Sequence, residues 1–106
     1  MDQEYVEAVL SLVERIPSGR VTTYGLIADA VRERLARGGP RQVGSVMATN
    51  GDAVTWWRVV RADGTLPERH RAEALMAYAE EGTPLTGNAG VRVDLPRAVW
   101  LPPRTA

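Results

Sequence analysis

A chain of 106 residues carrying 13 basic and 13 acidic side chains, with every basic residue an arginine, has room for one domain with a modest core. The absence of cysteine excludes a disulfide framework, a thiolate metal site and a thiol nucleophile, and His70, the single histidine, cannot build a zinc cluster. No segment reaches the ~20 apolar residues that cross a bilayer, and Met1-Asp2-Gln3-Glu4 is too acidic for a signal peptide, so a cytoplasmic protein without membrane, metal or cofactor is expected.

Zero net charge argues against a nucleic-acid binder, but the charges are unevenly placed. From Arg15 to Arg71, ten arginines face five acids, whereas the rest of the chain has three arginines and eight acids. A basic face and a solvated mixed surface both fit that count.

In chain order, Asp2 to Ile16 spaces Val6, Val9, Leu10, Val13 and Ile16 as one helical face, and Pro17-Ser18-Gly19 ends it. Arg20-Val21-Thr22 reads as a short extended piece. Thr23 is a good N-cap for a second helix to about Arg37, buried along Ile27, Val31 and Leu35. Gly38-Gly39 breaks it, and Pro40 suits the first turn of a third helix to Asn50. Two helices joined by a glycine turn, the second led by Arg41, have the pattern of a helix-turn-helix. Val43, Val46 and Met47 face inward in the third helix, while Gly44, Ser45, Ala48 and Thr49 leave its other side nearly bare. That side suits close approach to a sugar-phosphate surface or minor groove, or equally the packing of Gly44 and Ala48 against another helix.

Trp57 to Val60 reads as a strand, in which Trp57 alternates with Trp56, and Ala62-Asp63-Gly64-Thr65 as a turn. A fourth helix starts at Leu66-Pro67, runs through Leu75, Met76 and Ala79 to Glu81, and stops at Gly82, with His70 on its surface. The tail from Thr83 is glycine- and proline-rich, with a short strand at Val91 to Leu95 and Trp100 as an anchor or a lid. The fold class expected is mainly α with a small β element, a winged-helix-like helix-turn-helix domain. Its helix-turn-helix covers about 23–50, its pocket strand and loop about 54–69, and its irregular tail about 83–106.

Several of these segments resemble one family in order and spacing across residues 4–82. They are Ile16-Pro17-Ser18-Gly19-Arg20-Val21, Thr23-Tyr24-Gly25, Ile27-Ala28, Arg41-Gln42-Val43-Gly44, Asn50, Arg58-Val59-Val60 with Gly64, and Glu81-Gly82. The set resembles the C-terminal DNA-binding and active-site domain of the O6-alkylguanine-DNA alkyltransferases. In that family the site reads Pro-Cys-His-Arg-Val, and the histidine, through water and a glutamate, helps form the alkyl-accepting thiolate. Here Thr55, Trp56 and Trp57 stand at the proline, cysteine and histidine, and Glu81 at the glutamate. The same replacement of cysteine by tryptophan marks the alkyltransferase-like proteins.

The resemblance implies a protein that is not an enzyme. It would bind O6-alkylguanine in duplex DNA through the minor groove, rotate the nucleotide into a pocket and signal to nucleotide-excision repair proteins. A nucleoid-associated monomer is implied. Arg41 corresponds to the arginine finger that fills the base stack, and Tyr24 to the tyrosine that turns the target phosphate outward. Gly44, Ser45 and Ala48 would line the minor groove, and Asn50 would fix the loop into the active site. Trp56 would wall the pocket, Val59 would present backbone groups to the guanine edge, and Arg69 would sit over the purine. Glu81, with no histidine to serve, would pair with an arginine or a backbone amide. Two departures stand out: Trp57 replaces the histidine, and Arg32 to Pro40 is a few residues longer than usual, so Arg34 and Arg37 could reach phosphates. The alternative from another class is a winged-helix transcription regulator or protein-docking domain without lesion specificity.

Overall fold

The computed structural model describes residues 2–66, 70–86 and 92–103. Helix α1 (Gln3–Arg15) is started by Asp2, whose carboxylate accepts the amides of Glu4 at 3.0 Å and Tyr5 at 3.5 Å. Tyr5, Val6, Ala8, Val9 and Val13 are its buried face, and the chain leaves it at Ile16, immediately before Pro17.

Strand β1 (Thr22–Thr23) pairs in parallel with β2 (Val59–Val60), Thr22 opposite Val59 and Thr23 opposite Val60. Thr23 then caps α2 (Tyr24–Leu35) as its sequence predicts, its hydroxyl accepting the Leu26 amide at 3.1 Å. The helix stops at Leu35 rather than Arg37 because Ala36 turns left-handed, with φ of 56°. The turn is then held from two sides. Arg32 donates to the Gly38 carbonyl at 2.6 and 3.1 Å, and Arg37 reaches Asp2 and, at 3.1 Å, Glu4 at the head of α1. Arg37 therefore ties the turn to the head of α1, while Arg34 stays exposed. Gly38 lies against the Tyr5 ring with φ of +89°, where a Cβ would come within 2.3 Å of Tyr5 Cε1.

Helix α3 (Pro40–Asn50) has the predicted bounds. Pro40 occupies its first turn, and the Gln42 side chain accepts the Gly39 amide at 2.9 Å. Val43, Val46 and Met47 bury against α1 and α2 in a first core cluster that also holds Val9, Val13, Ile16, Ile27, Val31 and Val59. The helix-turn-helix is thus formed by α2 and α3.

The segment after it differs from expectation. Gly51–Ala53 and Trp56–Arg58 are single 3₁₀ turns, and only Val59–Val60 is strand. Trp57 and Arg58 are consecutive, yet both reach Glu81, which the period-two alternation of a strand forbids. The predicted glycine turn follows. Gly64 has φ of +85°, its amide donates to the Arg61 carbonyl at 2.8 Å, and a Cβ on it would fall 2.4 Å from the Val93 carbonyl oxygen.

Helix α4 (Arg71–Glu81) ends at a left-handed Gly82, as expected. Its buried residues are Ala74 and Tyr78, and Met76 is 69 % exposed; Leu66, where the helix was expected to start, lies outside it and packs in a second core cluster instead. Among its described residues the tail has regular elements where an irregular segment was expected. Strands β3 (Leu85–Thr86) and β4 (Arg92–Val93) pair antiparallel, and helix α5 (Leu95–Ala98) follows. The strand expected to reach Leu95 stops at Val93 because Asp94 already accepts the Ala98 amide at 2.9 Å. Trp100 is an anchor and not a lid: it packs on the first cluster, and its amide donates to Val21 at 2.7 Å. A second cluster gathers Val21, Val60, Leu66, Ala74, Tyr78, Val93 and Ala98, and Trp56 packs against both clusters. Among the described residues, no helix is long and apolar enough to cross a membrane.

Candidate nucleic-acid interface

A cleft of about 300 Å³ opens beside α3, lined by Tyr24, Gly44, Met47, Ala48, Gly51, Asp52, Trp56, Leu66 and His70. That volume is at the small end of ligand pockets. Each wall comes from a different element: Tyr24 from the first turn of α2, Gly44 and Ala48 from the bare side of α3, Trp56 from the second 3₁₀ turn. His70, immediately before α4, faces Trp56 with ring centroids 5.4 Å apart and planes tilted by 55°, while its Nδ1 lies 3.4 Å from Glu73. The expectation of His70 as a plain surface residue is therefore incomplete.

Glycine at 44 is not required by the protein's own packing, since a Cβ there would meet nothing within 4 Å, and Ala48 is exposed. Of the two readings of this helix face, packing against another helix is thereby excluded among the described residues. The face is open and nearly without side chains.

Trp56 is held by what surrounds its neighbours. Its own amide donates to the Val54 carbonyl at 2.8 Å, and its indole meets that of Trp57 edge to face at 5.6 Å. The Trp57 indole N–H donates to Glu81 at 2.9 Å, and the buried Tyr78 hydroxyl donates to the Trp57 carbonyl at 2.6 Å. Arg58 grips the same Glu81 carboxylate at 2.7 and 3.0 Å and donates to the Ile16 carbonyl at 2.8 Å. The Gly19 amide completes the set at 3.1 Å. Glu81 thus pairs with both an arginine and a backbone amide, as expected, and additionally with Trp57. Burial opposes its charge, but Arg58, the Gly19 amide and the Trp57 indole outweigh that and hold the carboxyl below its ordinary range. An indole N–H donates and cannot accept a proton, so Trp57 can hold Glu81 but cannot pass a proton to it.

Tyr24 is half-buried at the cleft edge; burial raises its phenol above the usual range, with Arg61 acting in the opposite sense, so it stays a neutral donor. Arg41 is exposed at the start of α3, outside the cleft lining and without an ion-pair partner among the described residues. Ser45 is exposed on the same helix but is not part of the cleft wall. Asn50 returns its amide to the Val46 carbonyl at 3.3 Å, so its side chain holds its own helix and not the following loop. Val59 is fully buried and its amide is used by the Trp56 carbonyl, which puts it behind the cleft rather than on its wall. Arg69 lies outside the described residues. The structure therefore gathers Tyr24, Gly44, Ala48 and Trp56, and adds Met47, Gly51, Asp52, Leu66 and His70, which sequence reasoning missed. Only the aromatic character of His70, near a tryptophan-walled loop, offered a signal.

A helix-turn-helix whose second helix opens beside an aromatic cleft defines a DNA-binding domain. Residues 4–82 match the family model for the DNA-binding domain of 6-O-methylguanine DNA methyltransferase. The chain belongs to that family, with Trp56 where the alkyl-acceptor cysteine stands. It is 36 % identical to the DNA base-flipping protein of Escherichia coli K12 over 106 residues, covering 93 % of this chain and 76 % of the relative. The same figures hold for the DNA base-flipping protein of Shigella flexneri. The crystal structure of S. pombe Atl1 with damaged DNA containing O6-carboxymethylguanine superposes with a TM-score of 0.77 at 28 % identity, over 96 % of this chain and 99 % of that one. A further S. pombe ATL structure in complex with DNA gives 0.78 at 29 %, with the same coverage.

Proposed function

We propose that this protein recognises O6-alkylated guanine in duplex DNA without repairing it. Helix α3 lies along the minor groove, Arg41 enters the base stack, and the alkylated nucleotide rotates past Tyr24 into the cleft under Trp56. The observation that carries this reading is the cleft itself: an aromatic wall at the acceptor position, next to a helix face with only small side chains beside a sugar-phosphate backbone. Base flipping costs a few kcal/mol, least where pairing is already weakened, and O6-alkylation weakens it. Binding of damaged DNA by S. pombe Atl1 supports the same reading for this chain.

The chemistry ends at recognition, because the 106 residues contain no thiol and Trp57 accepts no proton. Of the site residues, Asn50 acts by firming the end of α3, Ser45 by contacting the groove, and Val59 by supporting the wall from behind. The bound lesion is handed to nucleotide-excision repair proteins, and the protein acts as a monomer. A sequence-reading regulator would not need a cleft of this kind, and no observation favours that alternative.

A duplex carrying a fluorescent base analogue next to O6-methylguanine tests the flipping step. Emission should rise when the protein binds, and the adduct should be recovered unchanged. Binding without a rise in emission contradicts flipping, and a gain in protein mass equal to the alkyl group contradicts recognition without repair.

A further inference from the structure

The register of the small parallel ladder places two residues together that no motif joins. Thr22 lies opposite Val59 and Thr23 opposite Val60, so the next positions, Tyr24 and Arg61, leave the ladder side by side. The Arg61 guanidinium is close enough to act electrostatically on the Tyr24 phenol. It is exposed, and it has no carboxylate partner among the described residues. Asp63, the nearest acid in sequence, is occupied by the Thr65 amide at 3.0 Å and the Thr65 hydroxyl at 2.6 Å. By contrast, Arg20, Arg32, Arg37 and Arg58 are all tied to carbonyls or carboxylates. The base of Arg61 is also rigid. Its amide donates to the Thr65 carbonyl at 2.9 Å, in a turn whose Gly64 carbonyl accepts the Val93 amide at 2.9 Å.

We propose that Arg61 is a phosphate-binding residue that grips the backbone of the rotated nucleotide beside Tyr24. This rests on the reading that the cleft receives a flipped base. Tyr24 lines the cleft and Arg61 does not, so a base seated inside leaves its own phosphates at the Tyr24 edge, within reach of a planar guanidinium that no other described residue engages. The contact exists only after rotation. It therefore strengthens the lesion complex and not the encounter with undamaged DNA.

The test compares Arg61→Ala, Arg61→Lys and, as a control, Arg97→Ala on α5, each titrated with an O6-methylguanine duplex and its undamaged counterpart over a range of salt. Arg61→Ala should weaken lesion binding by about tenfold and reduce the magnitude of the salt slope by about one. Binding to undamaged DNA should barely change, Arg61→Lys should recover part of the loss, and Arg97→Ala should resemble the parent. Equal weakening on both duplexes, or no weakening, overturns the assignment. A parent protein that does not itself distinguish the two duplexes overturns the lesion reading, and this assignment with it.

Discussion

Tryptophan at 56 changes what the site can do because it substitutes a surface for a nucleophile. The indole packs against both core clusters and still presents a face to the cleft, so it is structural and ligand-facing at once. Restoring the thiol should not restore the reaction. Trp56→Cys is expected to show no gain in mass after incubation with alkylated DNA, since Trp57 donates to Glu81 and cannot take a proton from a thiol. Gly44 offers a cleaner separation of folding from binding. With nothing within 4 Å of a Cβ there, Gly44→Ala should raise stability in thermal or urea unfolding, by about 0.5–1 kcal/mol as expected of a mid-helix glycine. Gly44→Glu should fold as well, yet lose DNA binding in a titration, through bulk and charge on the face that meets the backbone. At this scale Tyr24, Gly44, Ala48 and Trp56 were legible because a family pattern fixes them. His70, Met47, Asp52 and Leu66 were not, because a wall assembled from several elements leaves no local periodicity to read.

The short elements are positioned by a few buried polar contacts, of which Glu81 has the most. Its carboxylate joins the end of α4, the Trp56–Arg58 turn and the Gly19 turn after α1, and the Arg58 and Glu81 side chains are only 15 % and 11 % exposed. Removing one partner of a pair so enclosed leaves the other uncompensated. Glu81→Gln should lower stability in denaturant unfolding by about 3 kcal/mol. The same group sets an acid limit. Its folded value lies below the ordinary 4.5, so its contribution is present at neutral pH and is lost as pH falls below that value towards the folded one. The melting temperature of the parent should therefore drop below about pH 4.5 more steeply than that of Glu81→Gln, and parallel curves would contradict the latch. The helices were legible from caps and spacing, α3 to the residue. The Trp56–Arg58 turn was not, since consecutive side chains reaching one carboxylate is a tertiary fact. The early stop of α2 has the same origin: Arg32 and Arg37 are drawn to Gly38 and to the head of α1, where helical propensity alone would have carried the chain further.

For the whole molecule the decisive quantity is not net charge, which is zero, but where unengaged arginines remain. Several of those near the helix-turn-helix are spent internally, leaving Arg34 on α2, Arg41 at the head of α3 and Arg61 beside Tyr24 as exposed cations without partners among the described residues. A shallow salt dependence follows, with a slope in log K against log salt of magnitude about 2 to 4, well short of that of a strongly basic DNA binder. A much steeper slope would mean that phosphate contacts, and not the cleft, dominate binding. The uneven distribution of charge was visible in the sequence, but not which arginines the fold would consume. The central claim is that the cleft discriminates, and paired titrations at one salt concentration test it most directly, with tryptophan fluorescence reporting on duplexes identical except for O6-methylguanine. The structure predicts at least about tenfold tighter binding of the alkylated duplex, with quenching; equal affinity for the two duplexes would contradict it.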